Sequence, residues 1–173
     1  KLPMKDGKYL GAPPGYDTPG KIPTLRKTLR NLTKEGETGR FWYENSSKAV
    51  LRMTGGNVQE ARKFVALLAI YSPQAKVDTH TTFAIRAWSQ YKAGQPISVK
   101  TKVMDQKAAK AMQDIDAFWS GEKTGNFFYN LLREIDPTTE GKQGATIDMW
   151  MMRAGMYPAD APTKTQYAFM ENE

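Results

Sequence analysis

The chain has 173 residues, with 25 Lys and Arg against 18 Asp and Glu, for a net charge of +7. That length fits one domain with a short arm and can bury a core without staples. With no cysteine and one histidine, the sequence leaves no ground for disulfides, thiolate metal sites, iron–sulfur clusters, thiol catalysis or a histidine-based triad. Hydrophobic residues make up 40% and charged residues 25%, which excludes a wholly disordered chain. No apolar run reaches the roughly 18–20 residues of a membrane span, and no secretory signal opens the chain. The expectation is a soluble, basic, cytoplasmic protein with no membrane partner, whose chemistry runs on Lys, Asp, Glu and Tyr.

Residues 1–22 read as a flexible arm. Pro3, Pro13-Pro14-Gly15 and Pro19-Gly20 punctuate it, and no period survives. Residues 23–173 read as one all-α domain. Pro23 suits a first helical residue, with Leu25, Leu29 and Leu32 following at helical spacing. Phe41-Trp42-Tyr43 opens a second segment that carries Val50, Leu51 and Met53 and stops at Gly55-Gly56.

The clearest helix starts after Asn57, where Asn57 and Glu60 have capping-box spacing. Its stripe of Val58, Ala61, Phe64, Val65, Leu68 and Ala69 is nearly continuous to Ile70-Tyr71, which predicts a central helix. Ser72-Pro73 ends it. Further helices are expected over about 76–91, 104–114, 124–132 and 147–156, with a last one capped by Thr163. That last helix is still running at Glu173, so the domain is expected to continue beyond it. No stretch alternates as a strand should. The fold class is therefore all-α, with about seven or eight short helices.

Charge is uneven along the chain. Residues 1–53 carry 11 basic and 5 acidic residues, 54–120 carry 9 and 5, and 121–173 carry 5 and 8. A basic front and an acidic back suit a polyanion partner, nucleic acid above all. Solubility alone accounts for the same charge.

Three constellations carry possible chemistry. Gly121-Glu122-Lys123-Thr124 is not a nucleotide phosphate loop, because Glu122 separates the glycine from the lysine. It fits a helix-hairpin-helix turn, which aims backbone N–H groups at a DNA phosphate; an ordinary helix–helix turn fits the same four residues. Asp148 lies between Ile147 and Met149, at the edge of an apolar segment. A helix cap is its plain role, and a carboxylate in a partly apolar cleft its chemical one. Ser72-Pro73-Gln74 follows a buried helix and could present Gln74 to a groove, or simply stop the helix. The lone histidine, His80, reads as a polar surface or packing residue rather than a ligand or base.

In this order the three segments resemble the helix-hairpin-helix DNA glycosylase superfamily, the endonuclease-III-like group. Leu68 to Gln74 stands where the family has a Leu-Ser-x-Gln-like turn. Gly121 to Gly125 stands where it has Gly-x-Lys-Thr-Ala, and Ile147-Asp148 with Arg153 where it has apolar-Asp-x-x-x-x-Arg. The chain is also similar to uncharacterised glycosylase-like proteins of phages and bacteria, on Trp42-Tyr43, Ser72-Pro73, Gly121 to Phe127 and Asp148 to Trp150. Departures are the missing cluster cysteines, the missing glycines before the hairpin and a gap of 25 positions from Lys123 to Asp148. They leave Lys123 two roles, nucleophile or phosphate ligand.

What the resemblance implies is an enzyme on double-stranded DNA that flips a damaged or modified base and cleaves its N-glycosidic bond. Asp148 and Lys123 would be catalytic. Ser72, Gln74, Gly121, Thr124 and Gly125 would bind DNA, and Tyr71, Trp119 and Trp150 would stack on the flipped base or fill the core. No cofactor or metal is expected. If the chain is phage-encoded, it would work in the bacterial host cytoplasm. The alternatives are a phage thymine- or base-hypermodification enzyme on the same fold, and a non-catalytic helix-hairpin-helix DNA-binding protein.

Overall fold

Helix periodicity governs almost all of the chain. The computed structural model describes residues 2–37, 41–116, 121–142, 144–147, 149–158 and 162–173, with residues 149 and 150 described by backbone alone. Contacts divide the chain into two compact units, Lys1–Arg40 with Ala145–Glu173, and Phe41–Gly144. The described residues form eight α-helices, which makes the fold all-α, and one small hairpin. No helix among them is long and apolar enough to cross a membrane.

In the first unit, residues of the expected arm carry the hairpin. Strand β1 (Met4–Lys5) pairs antiparallel with β2 (Lys8–Tyr9). Helix α1 (Ile22–Glu35) starts with Pro23 at its first turn. It buries Ile22 and Leu25 in a cluster with Ile147, Met152, Tyr157, Tyr167, Phe169 and Met170. Four of these lie on the last two helices, Met152 on α7 (Met149–Ala154) and Tyr167, Phe169 and Met170 on α8 (Lys164–Asn172). Thr163 accepts from the Gln166 N–H while Gln166 accepts from the Thr163 N–H, a complete capping box.

Leu2, Tyr9, Ala12 and Tyr16 pack on the same cluster. Gly11 makes this possible. Its φ is +85°, and a Cβ there would lie 2.2 Å from the Thr165 carbonyl oxygen. Only glycine lets the backbone come so close to the start of α8, and Tyr157 Oη donates to its carbonyl at 2.5 Å.

In the second unit, α2 (Trp42–Met53), α4 (Val77–Lys92), α5 (Lys102–Gln113) and α6 (Glu122–Leu132) all pack on α3 (Val58–Tyr71). The expected central helix is the observed one. Every residue of α3 from Phe64 to Tyr71 is buried, so apolar surface surrounds its C-terminal two turns. Its cap is half of the expected box. Asn57 Oδ1 accepts from the Glu60 N–H at 3.0 Å, but the Glu60 carboxylate turns away to Lys92 Nζ at 2.7 Å.

Polar groups in this core are tied to helix ends and loops. Ser47 is fully buried on α2, and its hydroxyl lies 2.6 Å from the Leu131 carbonyl, one of the orphan carbonyls of α6. Asp105 accepts from Tyr71 Oη at 2.8 Å and from the Val99 N–H at 3.0 Å, pinning the loop before α5 to α3.

Two substitutions test these contacts by urea denaturation. Ser47→Ala should cost about 1–3 kcal/mol, the penalty of an unmet buried acceptor. Gly11→Ala should cost more than about 1 kcal/mol, because strain and a clash with backbone combine. No loss in either variant would contradict the packing described.

Candidate functional site: an apolar cavity in the second unit

Four helices each turn one face toward a cavity of about 250 Å³ in the second unit. Helix α2 contributes Trp42, Ser46, Ala49, Val50 and Met53, which recur every three or four residues. Val77, His80, Thr81 and Ile85 do the same on α4. Phe64 and Leu68 form the floor from α3, and Phe127 and Leu131 come from α6. Such i, i+3, i+4 spacing is what places side chains on one side of a helix.

Phe127 joins the walls. Its ring lies 6.0 Å from Trp42, 6.0 Å from Tyr43 and 5.9 Å from His80, the last edge to face. No acidic or basic side chain lines the cavity apart from the imidazole. At its lip Met53, Val77 and Ile85 are about half exposed.

His80 is 4% exposed, and Nδ1 is buried with no hydrogen-bond partner. The sequence reading allowed a surface or a packing role, and burial against Phe127 settles on packing. It also gives the ring a wall position that a lone histidine in Asp78-Thr79-His80 did not signal. Burial holds its pKa below the ordinary histidine value, and Lys100 adds to this, against an opposing pull from Asp78. The ring is therefore neutral near pH 7.

The residues expected from sequence fall into three groups. Gly121, Lys123, Thr124 and Gly125 are at the start of α6. Gly121 is the N-cap residue with φ +102°, a backbone that disfavours any side chain, and Gly125 donates the first helical bond back to it at 3.0 Å. Lys123 is half-buried and lies one turn before Phe127 and two before Leu131, on the α6 face that walls the cavity.

Ser72 and Gln74 form the turn between α3 and α4. Ser72 Oγ donates to the Ala69 carbonyl at 2.9 Å, and Lys100 Nζ donates to the Pro73 carbonyl at 3.0 Å. Gln74 is exposed with φ +54°, a left-handed conformation uncommon for a residue with a side chain. The Phe127–His80 contact brings α4 and α6 together, so the turn before α4 and the start of α6 each lead into a helix that borders the cavity.

The third group is the aromatic and acidic residues. Tyr71 does not offer a stacking face. It is fully buried, tilted against Phe83 at 6.1 Å, and its hydroxyl is held by Asp105, with burial raising its pKa. A helix apolar on all sides has no free side at Tyr71. Asp148, Trp119 and the side chain of Trp150 lie outside the described residues.

Cations also stand on the helix that precedes α6 in sequence. On α5, Lys102, Lys107 and Lys110 are exposed, and none pairs with a described acidic residue. No group of three or more His, Asp or Glu residues among the described ones could hold a metal ion.

Residues 30–168 match a family model described as a family of unknown function, DUF7178. The chain belongs to that family. The match to DUF7178 takes in the whole second unit, and with it the cavity and the α5–α6 segment. No curated protein and no solved structure matches the chain.

Gln74 provides a test of the turn. Glycine removes the left-handed penalty, so Gln74→Gly should raise stability by up to about 1 kcal/mol in urea. A loss of stability would mean that the glutamine side chain holds the turn.

Proposed function

We propose that this DUF7178 member binds double-stranded DNA through α5 and the first turn of α6, and acts on a flipped base as a glycosylase-like enzyme. One observation carries the reading. Gly121 caps α6 with a backbone only glycine adopts readily, Lys123 and Thr124 follow in the first turn, and exposed lysines with no acidic partner among the described residues stand on α5, the helix before it in sequence. A helix N-terminus presents free N–H groups and a positive dipole end, which suits a phosphate oxygen. Lys102, Lys107 and Lys110 add charge that would displace counterions along the backbone.

In this reading the duplex supplies its phosphates to α5 and α6, and Gln74, raised by its strained turn, enters the stack where the base leaves. Lys123 attacks C1′ of the flipped nucleotide. The C1′–N bond to the base breaks, and the base departs with the bonding electron pair and takes up a proton. The lysine nitrogen, now bonded to C1′, loses a proton and pushes its lone pair toward C1′; the C1′–O4′ bond breaks, O4′ keeps the electron pair and takes up a proton, and a Schiff base remains. Asp148 stabilises the developing sugar cation, as carboxylates do in glycoside cleavage.

Binding and trapping separate the steps. Raising salt should weaken binding to a duplex, and changing Lys102, Lys107 and Lys110 together to Ala should flatten the slope of log K against log salt by about 2–3. Borohydride trapping on duplexes with damaged or modified thymines should give a covalent adduct, lost in Lys123→Ala. Base release without an adduct would leave Asp148 as the acting group and Lys123 as a phosphate ligand. Conversion of the base without release would favour the hypermodifying alternative. Binding with no chemistry on any duplex would reduce the protein to a DNA-binding module, and absence of salt-dependent binding would overturn the reading altogether.

A further inference from the structure

The cavity between α2, α3, α4 and α6 has a wall chemistry that the DNA reading does not use. It is almost wholly apolar, yet one wall is an imidazole with a buried, unpartnered nitrogen. We propose that this cavity binds a small, neutral aromatic molecule that carries one N–H or O–H donor, of the indole or phenol kind.

Size sets the first limit. At about 250 Å³ the cavity is smaller than the roughly 300–1,000 Å³ of pockets for drug-sized ligands. It suits one ring system. Charge sets the second limit. With no Lys, Arg, Asp or Glu among the lining residues, a charged ligand would lose its hydration without a partner. The ligand is therefore neutral.

Shape and polarity complete the description. Trp42 and Phe127 stand 6.0 Å apart with planes 31° from parallel, and His80 meets Phe127 edge-on, so a flat ring entering here finds aromatic faces and edges. The half-exposed Met53, Val77 and Ile85 give it an apolar way in.

His80 supplies the polar handle. Neither of its ring nitrogens is hydrogen-bonded to a described residue, and its Nδ1 is out of reach of solvent. Nε2 is therefore the nitrogen within a ligand's reach, and with the ring proton on Nδ1 its lone pair accepts from a ligand donor. The charged groups that act on the ring are Lys100, which favours the neutral form, and Asp78, which opposes it. A lone pair on Nε2 that an apolar ligand would cover and leave unmet is costly, which gives the ligand donor its selectivity. Lys102, Lys107, Lys110 and Lys123 line no part of this cavity, so the inference stands apart from DNA binding.

The test exploits the single histidine, whose ring signals in the NMR spectrum of the full chain belong to one residue. Indole is titrated against indene, which has the same shape and no N–H. Indole should shift the His80 signals saturably and bind about 3–10-fold more tightly than indene, the range one net hydrogen bond provides. In His80→Phe, followed by ligand-detected NMR, the two probes should bind alike. Ala49→Trp, at an exposed position on the lip, should block both. A wild-type titration without saturation, equal affinity for indole and indene, or unchanged binding in Ala49→Trp would each overturn the proposal. If His80→Phe does not fold, the indole–indene ratio and Ala49→Trp still decide. Failure here leaves salt-dependent DNA binding untouched, and failure of DNA binding leaves this site untouched.

Discussion

The second unit depends on one helix that is apolar around its whole circumference. From Phe64 to Tyr71 every residue of α3 is buried, and four helices are needed to cover it. Each covering helix spends its own apolar face on α3 and turns its other side outward. At about 25 cal/mol per Å² of buried apolar surface, such a post is the largest favourable contribution a small helical unit can make. The polar contacts at its margins follow from it. Ser47 meets the end of α6, and Asp105 receives the Tyr71 hydroxyl, because groups trapped beside this post have no water to turn to.

The cavity is a consequence of the same arrangement. α2, α4 and α6 leave a space over Phe64 and Leu68 of α3, and Phe127 meets Trp42, Tyr43 and His80 in its wall. A histidine in that position is held neutral by its surroundings. The strained Gln74 and the glycine-capped start of α6 sit at the ends of two of the same helices, so rigid elements position the groups that the DNA reading requires. Pre-set backbone of this kind costs stability and is kept where the surrounding contacts over-determine it.

Much of this was legible in the residues. The stripe from Val58 to Tyr71 announced both a helix and its central place, and Thr163 announced the last cap. Gly121 marked the start of α6, although the helix begins at Glu122, two residues before Thr124. Three features were hidden for physical reasons. The hairpin of Met4–Lys5 with Lys8–Tyr9 has too few residues to show alternation, and it is held by packing of Leu2, Tyr9 and Tyr16 on distant residues. The Glu60 side chain followed a tertiary partner, Lys92, which no local pattern displays. The cavity draws on faces from four helices, and its members are ordinary apolar residues one at a time. The one signal that could have found it was the spacing of Val77, His80, Thr81 and Ile85, which puts the histidine on an apolar face. Tyr71 was left between stacking and core packing, and the crowding around α3 makes it core.

The central claim is that α3 and its four partners enclose a neutral, unpaired imidazole, and an NMR pH titration of the His80 ring tests it most directly. An unfolded chain titrates this histidine near its ordinary value of 6.5. With the folded value lower, the unfolded state takes up protons first, so stability is present above about pH 6.5 and is lost as pH falls through the folded pKa. The account predicts a folded-state midpoint below 6.5, with the loss of stability on acidification in that window diminished in His80→Phe. A midpoint at or above 6.5 in the folded protein would contradict it.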